Sequence, residues 1–244
     1  MHFNAFTTSW GANFIAAGTV HFRVWAPGQA KLTLRLSGKD TEMSAAEDGW
    51  FEQVATGVSA GVAYQFILPD GMAVPDPASR AQQAGVNGPS LVTSSESYQW
   101  HNADWKGRPW EESVIYELHV GTFTPQGTFA AAMEKLPYLA ETGITMIEVL
   151  PLAQFGGQRG WGYDGVLLYA PHSAYGTPDD FKAFVVAADC RPNNGNRLSK
   201  AHGVMVAMVK GEGDNTRSVR MTVMIVLLNE NAGHRDGSAT QVQD

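Results

Sequence analysis

Aromatic residues are missing from the last part of this chain. Of its 11 Phe, 7 Trp and 7 Tyr, none lies in residues 189–244, where the density of the preceding part would place roughly seven. Cysteine is nearly absent too: Cys190 stands alone, which excludes an intramolecular disulfide framework and suits a reducing cytosol. The longest apolar run, Met221 to Leu228 with Thr222 inside it, is far short of the roughly 20 residues a bilayer span needs. The start, MHFNAFTTSW, has neither the charged nor the long apolar region of a secretory signal. Basic residues are outnumbered, 17 Lys and Arg against 24 Asp and Glu, so at net charge −7 no basic surface recruits nucleic acid or an anionic membrane. The seven histidines are scattered without zinc-ligand spacing, and no phosphate-binding loop is present. These absences predict a soluble, cytoplasmic protein with no metal, cofactor, nucleic-acid or membrane partner.

The 244 residues do carry enough apolar material for one large domain or two ordinary ones. Residues 19–68 read as strands: Val20, Phe22 and Val24 alternate, as do Leu32, Leu34 and Leu36, and Tyr64, Phe66 and Leu68. Gly38, Asp48-Gly49 and Asp70-Gly71 mark turns between them. A small β-sandwich with one wet face follows from that pattern. Residues 75–112 lose the alternation and read as a linker or an ordered connection.

The period then changes. SVIYELHVGTF is a continuous apolar run, expected to be a strand buried on both faces. GTFAAAMEKLPYLAETG places Phe129, Met133, Leu136 and Ala140 at helical spacing, with Pro137 predicted to kink or divide the helix and Gly143 to stop it. ITMIEVLPL is a second buried strand, and TPDDF starts another helix with Thr177 as N-cap and Pro178 in the first turn. Strand, helix, strand, helix over residues 113–188 reads as the opening of a parallel α/β fold. The tail offers two further runs, GVMVAMV and MTVMIVLL, either of which could be a strand.

Three constellations could carry chemistry. GWGYDG at 160–165 has the glycine spacing of a dinucleotide-binding turn, but no amphipathic helix opens at it, so that reading is set aside. Glu117 and Glu148, one on each buried strand, could be catalytic acids or bases, or equally structural carboxylates. Trp161, Tyr163 and Asp164 could stack on a pyranose and accept its hydroxyl hydrogen bonds, or could be a glycine-rich loop packed by its own aromatics.

The segments VWAP, DGWFE, VPDPASR, GVNGPS, VIYELHVGTFTPQGTFAAAMEKLPYLAETGIT, IEVLP and RGWGYDGVLLYAPHSAYGTPDDFKAFV occur in order over roughly residues 15–187. Together they resemble the N-terminal part of the maltooligosyltrehalose trehalohydrolase family, in the α-amylase clan of glycoside hydrolases. The resemblance implies an immunoglobulin-like β-sandwich at 1–100 and the incomplete start of a (β/α)8 barrel at 101–188. It further implies retaining hydrolysis of the α-1,4 bond next to a terminal trehalose unit, with a maltooligosyltrehalose or related α-glucan as partner and no cofactor. That chemistry sets a nucleophile and an acid about 5 Å apart across one bond. The family takes its three carboxylates from barrel strands four, five and seven, so Glu117 and Glu148 do not match them and no catalytic residue is assigned. Tyr163 corresponds to the clan tyrosine that stacks on the sugar beside the scissile bond, and Asp164 neighbours it; these two are the expected substrate-binding residues.

After FKAFVVAA the resemblance ends, and 189–244 reads as a non-family tail of the kind a shifted reading frame would produce. A whole barrel needs about 250 residues of its own. The expectation is a fragment of the hydrolase, inactive as written, whose tail lacks stable packing on the rest. The alternatives are a non-catalytic α-glucan-binding module, or a fragment of a related glycogen branching or debranching enzyme.

Overall fold

The alternating residues of the first hundred positions build two antiparallel sheets that share one core. The computed structural model describes residues 9–94, 97–101 and 109–188, together with the backbone of 189, 203–209 and 222–226. In chain order the first strands are β1 (Gly11–Ala16), β2 (Thr19–Trp25), β3 (Thr33–Leu36), β4 (Lys39–Glu42), β5 (Ser44–Ala45) and β6 (Trp50–Thr56). They are followed by β7 (Ala63–Ile67), β8 (Ala73–Val74) and β9 (Ser90–Leu91). One sheet has the order β1-β2-β6-β5; the other runs β4-β3-β7-β8, with β9 also paired to β7. Val20, Phe22 and Val24 from the first sheet meet Leu34, Tyr64 and Phe66 from the second in one cluster. Phe22 and Phe66 are fully buried, each contributing up to about 3 kcal/mol of transfer free energy. A sandwich of two sheets was expected over this stretch, and the residues whose alternation predicted it are the ones that fill it.

Between β8 and β9 the connection is tied down by hydrogen bonds. Asp76 is buried, accepts hydrogen bonds from Tyr64 Oη at 2.7 Å and the Ala78 amide at 2.8 Å, and its own amide donates to Ser90 Oγ at 3.0 Å. Arg80 reaches back 3.1 Å to the Ala12 carbonyl. VPDPASR is therefore a polar clasp that ties the connection to both sheets. Burial raises the Asp76 carboxyl above its usual range, with the Tyr64 hydrogen bond opposing that rise.

The second part follows the change of period. β10 (Ile115–Leu118) leads into the short α1 (Val120–Phe123), α2 (Phe129–Met133) and α3 (Leu136–Glu141), then β11 (Met146–Val149). The expected helix is indeed divided: it breaks at Glu134-Lys135, which puts Pro137 in the first turn of α3, where its missing N–H costs nothing. A two-stranded ribbon, β12 (Ala153–Gln154) with β13 (Leu167–Pro171), precedes α4 (Pro178–Asp189). Leu118, Phe129, Leu139, Ile147, Val149, Phe184 and Val185 form a second core, sharing no residue with the first.

Two expectations change here. β10 was expected to be buried on both faces, yet Ile115 is 40% exposed and only Leu118 is buried. The strand lies at the edge of its sheet, with β11 as its partner, so one face and one edge meet water. The tail was expected to lack packing on the rest. Instead β14 (Gly203–Val209) pairs parallel to β11, Met146 opposite Gly203, and β15 (Thr222–Val226) pairs antiparallel to β14. An open strand edge presents unpaired N–H and C=O groups, and an apolar, β-rich run can satisfy them whatever its origin. The other tail residues lie outside the described ones. The sheet order is β10-β11-β14-β15, and its antiparallel last strand is not a feature of a parallel barrel. Among the described residues no helix is long and apolar enough to cross a membrane.

Candidate functional site

Parallel strands of an α/β layer all end on one side, and connections there hold ligands for a geometric reason: backbone and side chains converge without blocking the sheet. In this chain the residues that follow β10 and β11, His119 and Pro151, both meet the loop that joins β12 to β13. The ribbon closes the base of that loop, with the Val166 amide donating to the Gln154 carbonyl at 2.8 Å and the His172 amide to the Leu152 carbonyl at 2.7 Å.

Two glycines explain how the loop lies down on this base. A Cβ on Gly160 would stand 2.8 Å from the Phe155 ring, and one on Gly162 would collide with the Pro151 carbonyl. Gly162 also has φ +94°, a conformation that side chains disfavour. The G-x-G spacing is thus a close-packing device. A strand, β13, follows it rather than a helix, in keeping with the reading that set a dinucleotide aside.

Side chains above and below the loop differ sharply. Trp161 is 82% exposed and Tyr163 46%, and Asp164 is exposed beside them. Beneath lies a nearly dry polar layer. His172 is 1% exposed, stacked on Phe155 with ring centroids 3.7 Å apart, and its Nδ1 accepts from Gln154 Nε2 at 3.0 Å. The Gln154 amide is oriented by its other contacts, since Oε1 accepts from the Ser173 amide at 2.8 Å and Nε2 donates to the Phe155 carbonyl at 3.0 Å. The proton of His172 therefore sits on Nε2, which makes no well-formed hydrogen bond. Burial lowers the His172 pKa, a Gln158 backbone contact opposing it, so the ring is held neutral. Tyr175, also buried, has its hydroxyl pKa pushed up to about 12 by desolvation and keeps its proton.

The structure separates the expected residues into two groups. Tyr163 and Asp164 stand together on the exposed loop. Glu117 and Glu148 are register partners on adjacent parallel strands, Glu117 exposed and Glu148 half-buried, on the face opposite Leu118, Ile147 and Val149. Two carboxylates side by side could help bind a cation, but among the described residues no group of three metal-ligating side chains forms. Sequence reasoning missed His119, Gln154, His172 and Tyr175. Their signal was positional: His119 directly follows a parallel strand, and PHSAYG lies between a strand and a helix start.

No model of a known protein family matches the chain. Comparison with curated proteins does give relatives. The chain is 46% identical over 172 residues to malto-oligosyltrehalose trehalohydrolase of Deinococcus radiodurans, covering 70% of this chain and 28% of that protein. It is 44% identical over 167 residues to the enzyme of that name from Saccharolobus solfataricus, covering 68% of this chain and 30% of that protein. Among solved structures, a Salmonella typhimurium chain described as a candidate alpha amylase superposes with a TM-score of 0.74 at 54% identity, covering 90% of this chain and 39% of that one. The chain spans less than a third of the length of the curated relatives it matches.

Proposed function

We propose that this chain, which over the residues that match belongs with the malto-oligosyltrehalose trehalohydrolases of the α-amylase family, contributes the sugar-stacking loop of such a glycoside hydrolase. In this reading Tyr163 packs on the apolar face of a glucose unit of a maltooligosyltrehalose or related α-glucan, and Asp164 accepts one of its hydroxyl hydrogen bonds. The observation that carries it is the exposure of Tyr163 on a loop whose base is closed by hydrogen bonds at the ends of two parallel strands. β10 and β11, with the helices between and after them, would be the opening βα units of a barrel. The single cysteine suits a cytoplasmic setting.

The residues assigned a role here bind sugar and do no bond-breaking. Retaining cleavage needs a nucleophile and an acid about 5 Å apart on opposite sides of one bond. Glu117 and Glu148 lie side by side on one sheet face, and the resemblance gives neither of them the place of a family carboxylate. We therefore infer that this chain by itself releases no trehalose from maltooligosyltrehalose. Titration of the full chain with maltoheptaose is expected to show binding that Tyr163→Ala weakens about five- to tenfold, the worth of one aromatic stack. Equal binding by both proteins would reject the stacking role. Trehalose release that Glu117→Gln or Glu148→Gln abolishes would reject the non-catalytic reading.

A further inference from the structure

The exposed aromatics of the loop are only as useful as the backbone under them is fixed, and one hydrogen bond stands out there. His119 Nε2 lies 2.9 Å from the Gly160 carbonyl oxygen. A carbonyl can only accept, so Nε2 carries the proton and donates it. Tyr175 Oη stands 3.3 Å from the same nitrogen, and the two rings meet edge to face. Tyr175 is itself held by Phe129, Phe155 and His172, all of them fully buried. The Gly160 carbonyl thus hangs from a side chain that leans on the hydrophobic core. Behind His119, a Cβ on Gly121 would come within 2.8 Å of the Tyr175 ring and 3.0 Å of the His119 ring, so the backbone of α1 closes on both. The anchored residue directly precedes Trp161, and Gly162 rests on the Pro151 carbonyl on the other side. Trp161 and Tyr163 are therefore carried by a segment held at Gly160 and Gly162.

We propose that His119, backed by Tyr175, is a positioning residue that fixes the 160–165 loop so that Trp161 and Tyr163 present one aromatic platform to a glucan. The platform's ligand rests on the α-glucan reading above; the positioning does not. His119 reaches the loop through the Gly160 carbonyl. Trp161, the more exposed of the two aromatics, becomes a second stacking surface next to Tyr163, suited to the next unit of a chain-like ligand rather than to a monosaccharide.

Fluorine NMR of the full chain labelled with 5-fluorotryptophan tests the positioning without any sugar, the Trp161 signal being identified by its loss in Trp161→Phe. His119→Ala is expected to shift and broaden that signal and to weaken maltoheptaose binding about fivefold, as the loss of one hydrogen bond would. His119→Gln, whose side-chain N–H reaches about as far as Nε2, is expected to restore both. Tyr175→Phe keeps the ring and loses the hydroxyl; it should move the signal in the same direction by less, and it carries the comparison if His119→Ala does not fold. A Trp161 signal unchanged in His119→Ala overturns the proposal. So does a glutamine variant as displaced as the alanine one, which would make the imidazole a packing element only. If no protein, wild type included, binds maltoheptaose, the α-glucan reading fails while the fluorine shifts still decide the positioning.

Discussion

At the scale of single residues, burial sets the chemistry more than charge does. His172 has its pKa lowered from 6.5 because the ring is enclosed by Phe155, Gln154 and Tyr175. As pH falls through 6.5 the unfolded chain takes up this proton and the folded chain does not. The stability due to His172 is therefore fully present above 6.5 and is lost progressively as pH falls through that value toward the folded pKa. Melting curves between about pH 7.5 and 5 should show Tm falling for the wild type and falling less steeply for His172→Gln, by at most about 1.4 kcal/mol per pH unit of difference. Parallel curves for the two proteins would show that His172 titrates normally. Little of this environment was legible beforehand, because a histidine between a strand and a helix gives no sign of whether it is wrapped or wet. Tyr163 was legible, since a motif placed it on a loop.

At the scale of elements, local rules did most of the work where ends are concerned. Thr177 caps α4 as its position before Pro178 predicted: its Oγ1 accepts from the Asp180 amide at 3.1 Å, and Asp180 Oδ2 accepts from the Thr177 amide at 2.8 Å and from its hydroxyl at 2.7 Å. That reciprocal pair satisfies donors that the first helical turn leaves unpaired. Thr177→Ala should cost about 1 kcal/mol in urea denaturation, and Thr177→Ser should recover most of it. A neutral alanine variant would mean that α4 is held by Phe184 and Val185 alone. Sheet neighbours were less readable than ends. Ile115 and Tyr116 looked like interior residues because apolar runs usually are, yet β10 is an edge strand and leaves both more than a third exposed.

At the scale of the molecule, the two cores have no residue in common, one filling the sandwich and the other the α/β layer. Separate cores allow separate cooperativity. Phe22→Ala removes a fully buried ring from the first and should lower the stability of that unit by about 3–5 kcal/mol. Calorimetry should then show one transition moved to lower temperature and the other retained, the latter also reported by the fluorotryptophan signal of Trp161. A single transition that moves as a whole would show that the VPDPASR clasp and the segments after it couple the two parts into one unit.

What the sequence determined by itself is what depends on neighbours along the chain: the alternation that makes the sandwich strands, the break of the helix near Pro137 and the cap at Thr177. Each is a matter of periodicity, local sterics or short-range hydrogen bonding. Tertiary structure decided what depends on distant partners. It brought His119 and Gly160 together across 41 positions, wrapped His172 between Phe155 and Tyr175, set Glu117 beside Glu148, and paired β14 with the open edge of β11 and β15 with β14. No spacing rule encodes such contacts, because chain closure and the demand of every buried polar group for a partner are settled only when the whole chain has packed.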